Sequence, residues 1–249
     1  MRGSSEHLGL ISTSAISEAI MSLILDIRKS PLLLLCAAAL TASLQCGGTG
    51  DNASLSFFNE GKKHYARKNL EKADELFRKA AAEDPGLLNA VLMRAKIRYY
   101  RKDFPGALSF LDDIISENSN HLDALFWKAR VLAVGGEKTG IELNEREREA
   151  VKCLNAVIEA NSGHVQARTL LALLHEKNRK YRESLYQYHA ALREEESLVH
   201  ARSNLAILYA RMGLKDRAIK ELKTAMAICD ATSIPKGNLL EIKKEIETQ

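Results

Sequence analysis

Proline is scarce in this sequence, with four in 249 residues, at positions 31, 85, 105 and 235. It is the residue that breaks helix interiors, and its rarity beside 14 glycines and 46% hydrophobic residues suits an ordered helical chain. No Cys-x-x-Cys pair and no His-Glu-x-x-His segment occurs, so the common zinc patterns are missing. There is no Gly-x-Ser-x-Gly elbow for a nucleophile and no Gly-Lys-Ser/Thr phosphate loop. The seven histidines are scattered, and no carboxylates stand in a context that implies a paired acid and base. Catalysis, a metal, a cofactor and a small-molecule substrate are therefore not expected. A large excess of one charge is missing too. Net charge is +4 with acids and bases interleaved, which predicts no nucleic-acid partner.

Long apolar runs are absent except for one, at 31–44. It falls short of the roughly 20 residues an ordinary membrane-spanning helix needs. Arg28 and Lys29 precede it and Cys46-Gly47-Gly48 follows, the layout of an exported protein's signal. A cysteine directly after such a run resembles a bacterial lipoprotein signal, although Gln45 stands where those signals carry a small residue. The resemblance implies lipidation at Cys46, a membrane anchor, and a location in the bacterial cell envelope, at the outer membrane or the periplasmic face. Residues 1–20 lack repeat character, and Met21 gives a signal of conventional length, so translation is expected to begin there. Loss of 1–46 removes equal numbers of acids and bases and leaves the net charge unchanged. The small, polar segment 47–53 reads as a short tether.

The remainder is built from repeats. Over 199–230 two amphipathic helical patterns flank a Gly213-Leu214-Lys215-Asp216 turn, with Leu205, Ala206 and Tyr209 on one face and Ala218, Leu222 and Ala225 on another. Ala206 recurs as Ala172, Ala129, Ala95 and Gly61. Ala218 recurs as Ser184, Ala150, Ala107 and Ala73. Leu222 recurs as Tyr188, Leu154, Leu111 and Phe77, and Ala225 as Ala191, Val157, Ile114 and Ala80. Each step is 34 residues, apart from an insertion of nine between the helices of the third unit. A hairpin this short cannot bury its own apolar face and needs copies of itself on both sides.

These ladders resemble tetratricopeptide repeats (TPRs), helix–turn–helix units of about 34 residues. The resemblance covers 54–232, with units at 54–87, 88–121, 122–164, 165–198 and 199–232. It implies an all-α, right-handed superhelical solenoid of five units. Pro85 stands where a proline is expected after the second helix, while Ser119, Ser162, Glu196 and Asp230 replace it in later units. At 233–249, Leu239, Ile242 and Ile246 form one stripe of a short helix, read as a solvating cap over the last unit. Cys153 and Cys229 lie two units apart, beyond the roughly 7 Å a disulfide spans, and are expected as buried free thiols.

In proteins of this kind the first helix of each unit lines a concave groove. Carried over, one groove position runs Lys62, Lys96, Arg130, Leu173, Ile207, and another runs Tyr65, Tyr99, Ala133, Glu176, Ala210. Phe58, Tyr100, Phe126 and Trp127 are further candidates for that face. Stacked cations and rings suit an extended acidic peptide or protein, with Lys62, Tyr65, Lys96, Tyr99, Phe126, Trp127 and Arg130 as the groove residues. Rings at helical spacing also serve packing between repeats, and surface lysines often only solvate a helix. Phe58, Met93 and Trp127 occupy places that the family's chaperone-tail clamp fills differently, which disfavours that partner. The Gly-rich insertion at 135–144 reads as a loop without a catalytic role, and 145–149, alternating in charge, as the solvated start of a helix. The sequence thus predicts a non-catalytic binding scaffold. The alternative is an accessory subunit of an envelope secretion or polymer-export complex, assembled through its outer faces and cap.

Overall fold

The computed structural model describes residues 50–134, 144–233 and 235–248. The signal region, Cys46, residues 47–49 and the insertion at 135–143 lie outside the described residues. Among those described there are eleven helices and no strand: α1 (Gly50–Ala66), α2 (Leu70–Glu83), α3 (Leu88–Tyr100), α4 (Phe104–Glu117), α5 (Leu122–Val134), α6 (Glu145–Ala160), α7 (Val165–Lys177), α8 (Tyr181–Glu194), α9 (Val199–Arg211), α10 (Lys215–Thr232) and α11 (Leu239–Thr248). Each helix packs on the next. Alternate helices also meet, α3 with α5, α5 with α7, α7 with α9 and α9 with α11, so the first helices of successive hairpins form one layer. Residues 50–53, expected as part of a tether over 47–53, belong instead to α1, which begins at Gly50. No proline interrupts 50–66, so helix propagates back to that point.

The repeat ladders are the core. All members of the Ala73, Phe77 and Ala80 series, through Ala218, Leu222 and Ala225, have 0% exposed surface. The small series Ala95, Ala129, Ala172 and Ala206 is at most 1% exposed. Burying one Leu-sized side chain stabilises by roughly 1.5–3 kcal/mol, so five stacked layers supply the main driving force. Packing is adjusted locally. A Cβ added to Gly61 would come within 2.7 Å of the Phe77 ring, so the first repeat pairs its smallest inner residue with its largest outer one. Cys153 and Cys229 are free and buried.

Both turn types repeat as well. Between the helices of a hairpin, Lys68, Lys102, Arg179 and Gly213 share one register position, and all have positive φ, from 56° to 76°. The amide one residue further on closes back on the preceding helix: Asn69 to His64, Asp103 to Arg98, Lys180 to His175 and Leu214 to Tyr209, at 2.8–3.0 Å. This is a Schellman closure, which satisfies carbonyls the helix end leaves open. Between hairpins, the side-chain oxygens of Asp84, Asn118 and Asn161 each accept the amide two residues on. Two of the scattered histidines also find a role there. His121 and His164 each accept an amide of the following helix through Nδ1, as N-caps of α5 and α7.

Two further elements complete the stack. Asn144 and Glu147 form a reciprocal capping box at the start of α6. Glu147 is only 3% exposed and pairs with Lys177 of α7. The start of α6 is therefore not wholly solvated, as its alternating charges had suggested. At the far end, Leu239 and Ile246 of α11 are buried in the last cluster with Leu222, Ala225 and Cys229, and Ile242 packs at its edge.

Candidate functional site

The inner layer brings most of the expected groove residues together around Trp127, the single tryptophan of the chain. Trp127, on α5, is 9% exposed and meets the rings of Tyr99 at 5.5 Å and Tyr100 at 6.1 Å, both edge-on. Tyr65 of α1 reaches the same group through Tyr100, at 6.4 Å between ring centres. Such contacts are each worth about 0.5–1.5 kcal/mol beyond the area they bury, so the rings form a rigid platform.

Two cations rest on that platform. The Arg130 guanidinium lies 4.7 Å from the Trp127 ring centre and 5.1 Å from that of Tyr99. The Lys96 ammonium lies 5.1 Å from Trp127. Helical geometry explains the convergence. Lys96 and Tyr100 are four residues apart on α3, and Trp127 and Arg130 are three apart on α5, so each pair shares a helix face. Because α3 and α5 touch, the two faces close on one another.

The electrostatics are unbalanced. Burial pushes the Lys96 ammonium below the usual lysine range, Asp123 opposes that shift, and the Arg130 charge adds to it. Burial, with the Tyr100 phenol beside it, raises Tyr65 to about 12, against a smaller opposing pull from Arg130. Among the described residues neither Lys96 nor Arg130 has an acid within ion-pair distance. Three partly buried cations elsewhere, each facing another helix, do. Arg94 meets Asp74 at 3.1 Å, Lys128 lies between Asp112 and Glu149, and Arg202 meets Glu221 at 2.7 Å.

Lys62 and Phe126 stand at the margins of this group. Lys62 is exposed and stands 5.1 Å over the Phe58 ring on its own helix. Phe126 packs between the cores of the second and third repeats, with its ring 5.0 Å from His164 and 6.2 Å, edge-on, from Trp127, so it joins the platform to the inter-repeat core. Tyr100 stands at the platform's rim, half exposed. Helical spacing marks Tyr100 as a candidate, and the contact between α3 and α5 brings its ring onto Trp127.

In the second half of the layer the pattern changes. Glu176, in the register position of Tyr65 and Tyr99, is 6% exposed. It accepts a 2.8 Å bond from Arg211 and a 3.4 Å bond from the Tyr188 hydroxyl. Burial holds its carboxyl above the usual range while Arg211 pulls it down. Here the cations are answered from within the chain, Arg211 by Glu176 and Lys177 by Glu147.

Comparison with known proteins agrees with this architecture. A family model described as tetratricopeptide repeat matches residues 144–197 and 169–231. Residues 144–231 are tetratricopeptide repeats. Solved structures extend the TPR likeness over most of the chain. TTC0263, a thermophilic TPR protein in Thermus thermophilus, is 19% identical, with a TM-score of 0.61 over 79% of this chain and 98% of that one. MamA from Desulfovibrio magneticus, from its residue 41 onward, is 16% identical, with a TM-score of 0.59 over 72% of this chain and 96% of that one. YrrB, described as a TPR protein with an unusual peptide-binding site, is 18% identical, with a TM-score of 0.55 over 83% of this chain and 98% of that one. At these identities the likeness establishes the TPR solenoid fold. Among curated proteins, none matches this sequence.

Proposed function

We propose that this TPR solenoid is a non-catalytic scaffold that captures an acidic peptide or protein segment on its inner layer, held at the surface of a bacterial envelope membrane by a lipid on Cys46. The fold is consistent with a protein–protein interaction scaffold, and YrrB provides a structural parallel with a peptide-binding site. One observation carries the acidic preference: Lys96 and Arg130 are partly desolvated over aromatic rings, and no acid among the described residues pairs with them. A partly buried cation without a counter-charge is costly, and a ligand carboxylate removes that cost by supplying the missing partner. The aromatic platform fixes both cations in place, so little side-chain entropy is lost on binding.

The test is charge reversal at Lys96→Glu with Arg130→Glu. Hydrogen bonds to charged groups contribute about 1.5–3 kcal/mol each, so losing both should weaken capture more than tenfold. Partner capture is read by cross-linking the anchored protein in its own envelope, followed by mass spectrometry, with helical circular dichroism as the control for folding. Undiminished capture by the reversed protein would dismiss the reading. The anchor is tested separately: Cys46→Ser should move the chain from the membrane fraction to the soluble one.

A further inference from the structure

Among the described residues, the large apolar side chains that stand more than a third exposed are not spread evenly over the solenoid. Three of the six, Tyr100 at 50%, Val134 at 53% and Leu173 at 39%, belong to the successive inner-layer helices α3, α5 and α7. Tyr100 and Val134 hold the same register position in consecutive repeats, and Leu173 holds that of Lys96 and Arg130 one repeat further along. On each helix the two positions are four residues apart and share a face. The three helices therefore present a small lattice: Lys96 and Tyr100, then Arg130 and Val134, then Leu173 and Lys177. The unanswered cations occupy its first two rows. In the third row the inward position is aliphatic, and the one cation of that row, Lys177, is already neutralised by Glu147.

We infer that the partner segment is not merely acidic but bipartite, with a carboxylate that reaches Lys96 and Arg130 and an aliphatic side chain that settles over Val134 and Leu173. The inference rests on the inner layer being the binding face. Charge complementarity assigns the acid, because no carboxylate among the described residues ion-pairs with these two cations, Asp123 acting on Lys96 only from beyond that distance. Exposure assigns the apolar part, because Val134 and Leu173 lose unfavourable contact with water only when a partner covers them. The spacing follows from the fold. Packed helices lie about 8–10 Å apart, and a polyproline II chain rises about 3.1 Å per residue with three residues per turn. An acid and an aliphatic residue three positions apart then face the same side of the ligand and span the distance from α5 to α7.

Four capped synthetic peptides test this by their effect on Trp127 fluorescence in the full chain, which has no second tryptophan. One carries glutamate and leucine three positions apart, one has glutamine for the glutamate, one has serine for the leucine, and one keeps both at adjacent positions. The first should bind at least tenfold more tightly than each of the others. The double variant Val134→Ser with Leu173→Ser should erase the advantage of leucine while keeping that of glutamate. Equal binding of the leucine and serine peptides, or an unaltered leucine preference in the double variant, would overturn the bipartite inference and leave acidic capture standing. If none of the four perturbs Trp127, both readings fall together.

Discussion

Gly61→Ala is the most economical test of the repeat register, because it adds one methyl group at a single ladder position. Every other repeat carries alanine there, so a reading that ignored packing would expect nothing. In the structure the new Cβ would lie 2.7 Å and 2.9 Å from two carbons of the Phe77 ring, closer than side-chain carbons sit. The ring cannot retreat freely, since Phe58 holds it at 5.6 Å between centres. In the fourth repeat, where Ala172 coexists with Tyr188, Thr169 stands in the register position of Phe58. Overpacking a full core costs about 1–3 kcal/mol, so Gly61→Ala should be destabilising by that amount. Phe77→Leu alone removes ring volume and should cost roughly 1 kcal/mol. The double variant recreates the alanine–leucine pair of the Ala95 with Leu111 repeat, and should recover most of the Gly61→Ala loss. Urea unfolding monitored by circular dichroism, with hydrogen exchange across α1 and α2 as the local reporter, gives the three values and their coupling. A coupling energy near zero would mean that Gly61 and Phe77 do not share a packing layer, and the register would be wrong.

Other perturbations follow from the same structure. Lys102→Gly should stabilise by up to about 1 kcal/mol, because it relieves a left-handed conformation at an exposed turn; its melting temperature should rise by a few degrees, and a fall would contradict the assigned turn. His175 has its pKa pushed below 6.5 by burial, against Glu183, which raises it, and with Lys180, which lowers it. The unfolded chain therefore binds the proton more readily, so this contribution to stability is complete above pH 6.5 and is lost as pH falls through the folded-state value. His175→Gln should flatten stability over that range; Glu176, shifted upward by burial, has the opposite sign, its contribution being complete below its ordinary 4.5 and lost as pH rises through the folded-state value. Deleting α11 should expose the last cluster around Leu222 and lower stability, because Leu239 and Ile246 are buried there. Leu240→Ser is the cleaner probe of an assembly role for the cap, since Leu240 is 57% exposed; loss of assembly without loss of stability would favour the accessory-subunit reading.

The fold was legible because its driving force is periodic. A hairpin that must hide its apolar face against a copy of itself repeats the same residue sizes at the same spacing, and the positions aligned across five units are buried in every one of them. What the spacing concealed are features that break the period. The charge alternation at 145–149 gave no sign that Glu147 turns inward, since its partner Lys177 is thirty residues away on another helix. Lys68, Lys102 and Arg179 also hide a strained turn, because a basic residue at a left-handed position has no sequence signature where glycine would announce one.

The candidate site shows a different limit. Helical spacing placed Lys62, Lys96 and Arg130 in one row and could not rank them, because a row records which face a cation occupies and not how deeply it is buried, which rings it meets or whether an acid answers it. Answering acids come from other helices: Asp74 for Arg94, Glu149 for Lys128, Glu221 for Arg202. The same is true of the rings. Phe126 and Trp127 are adjacent in sequence, both pack in the core between repeats and their rings touch, yet only Trp127 carries the two cations. A binding surface on a repeat array is thus the remainder after internal pairing is complete. The surface proposed for this chain is of that kind: among the described residues Lys96 and Arg130, partly buried on α3 and α5, have no ion-pair partner, and Val134 and Leu173 stand exposed beside them on α5 and α7.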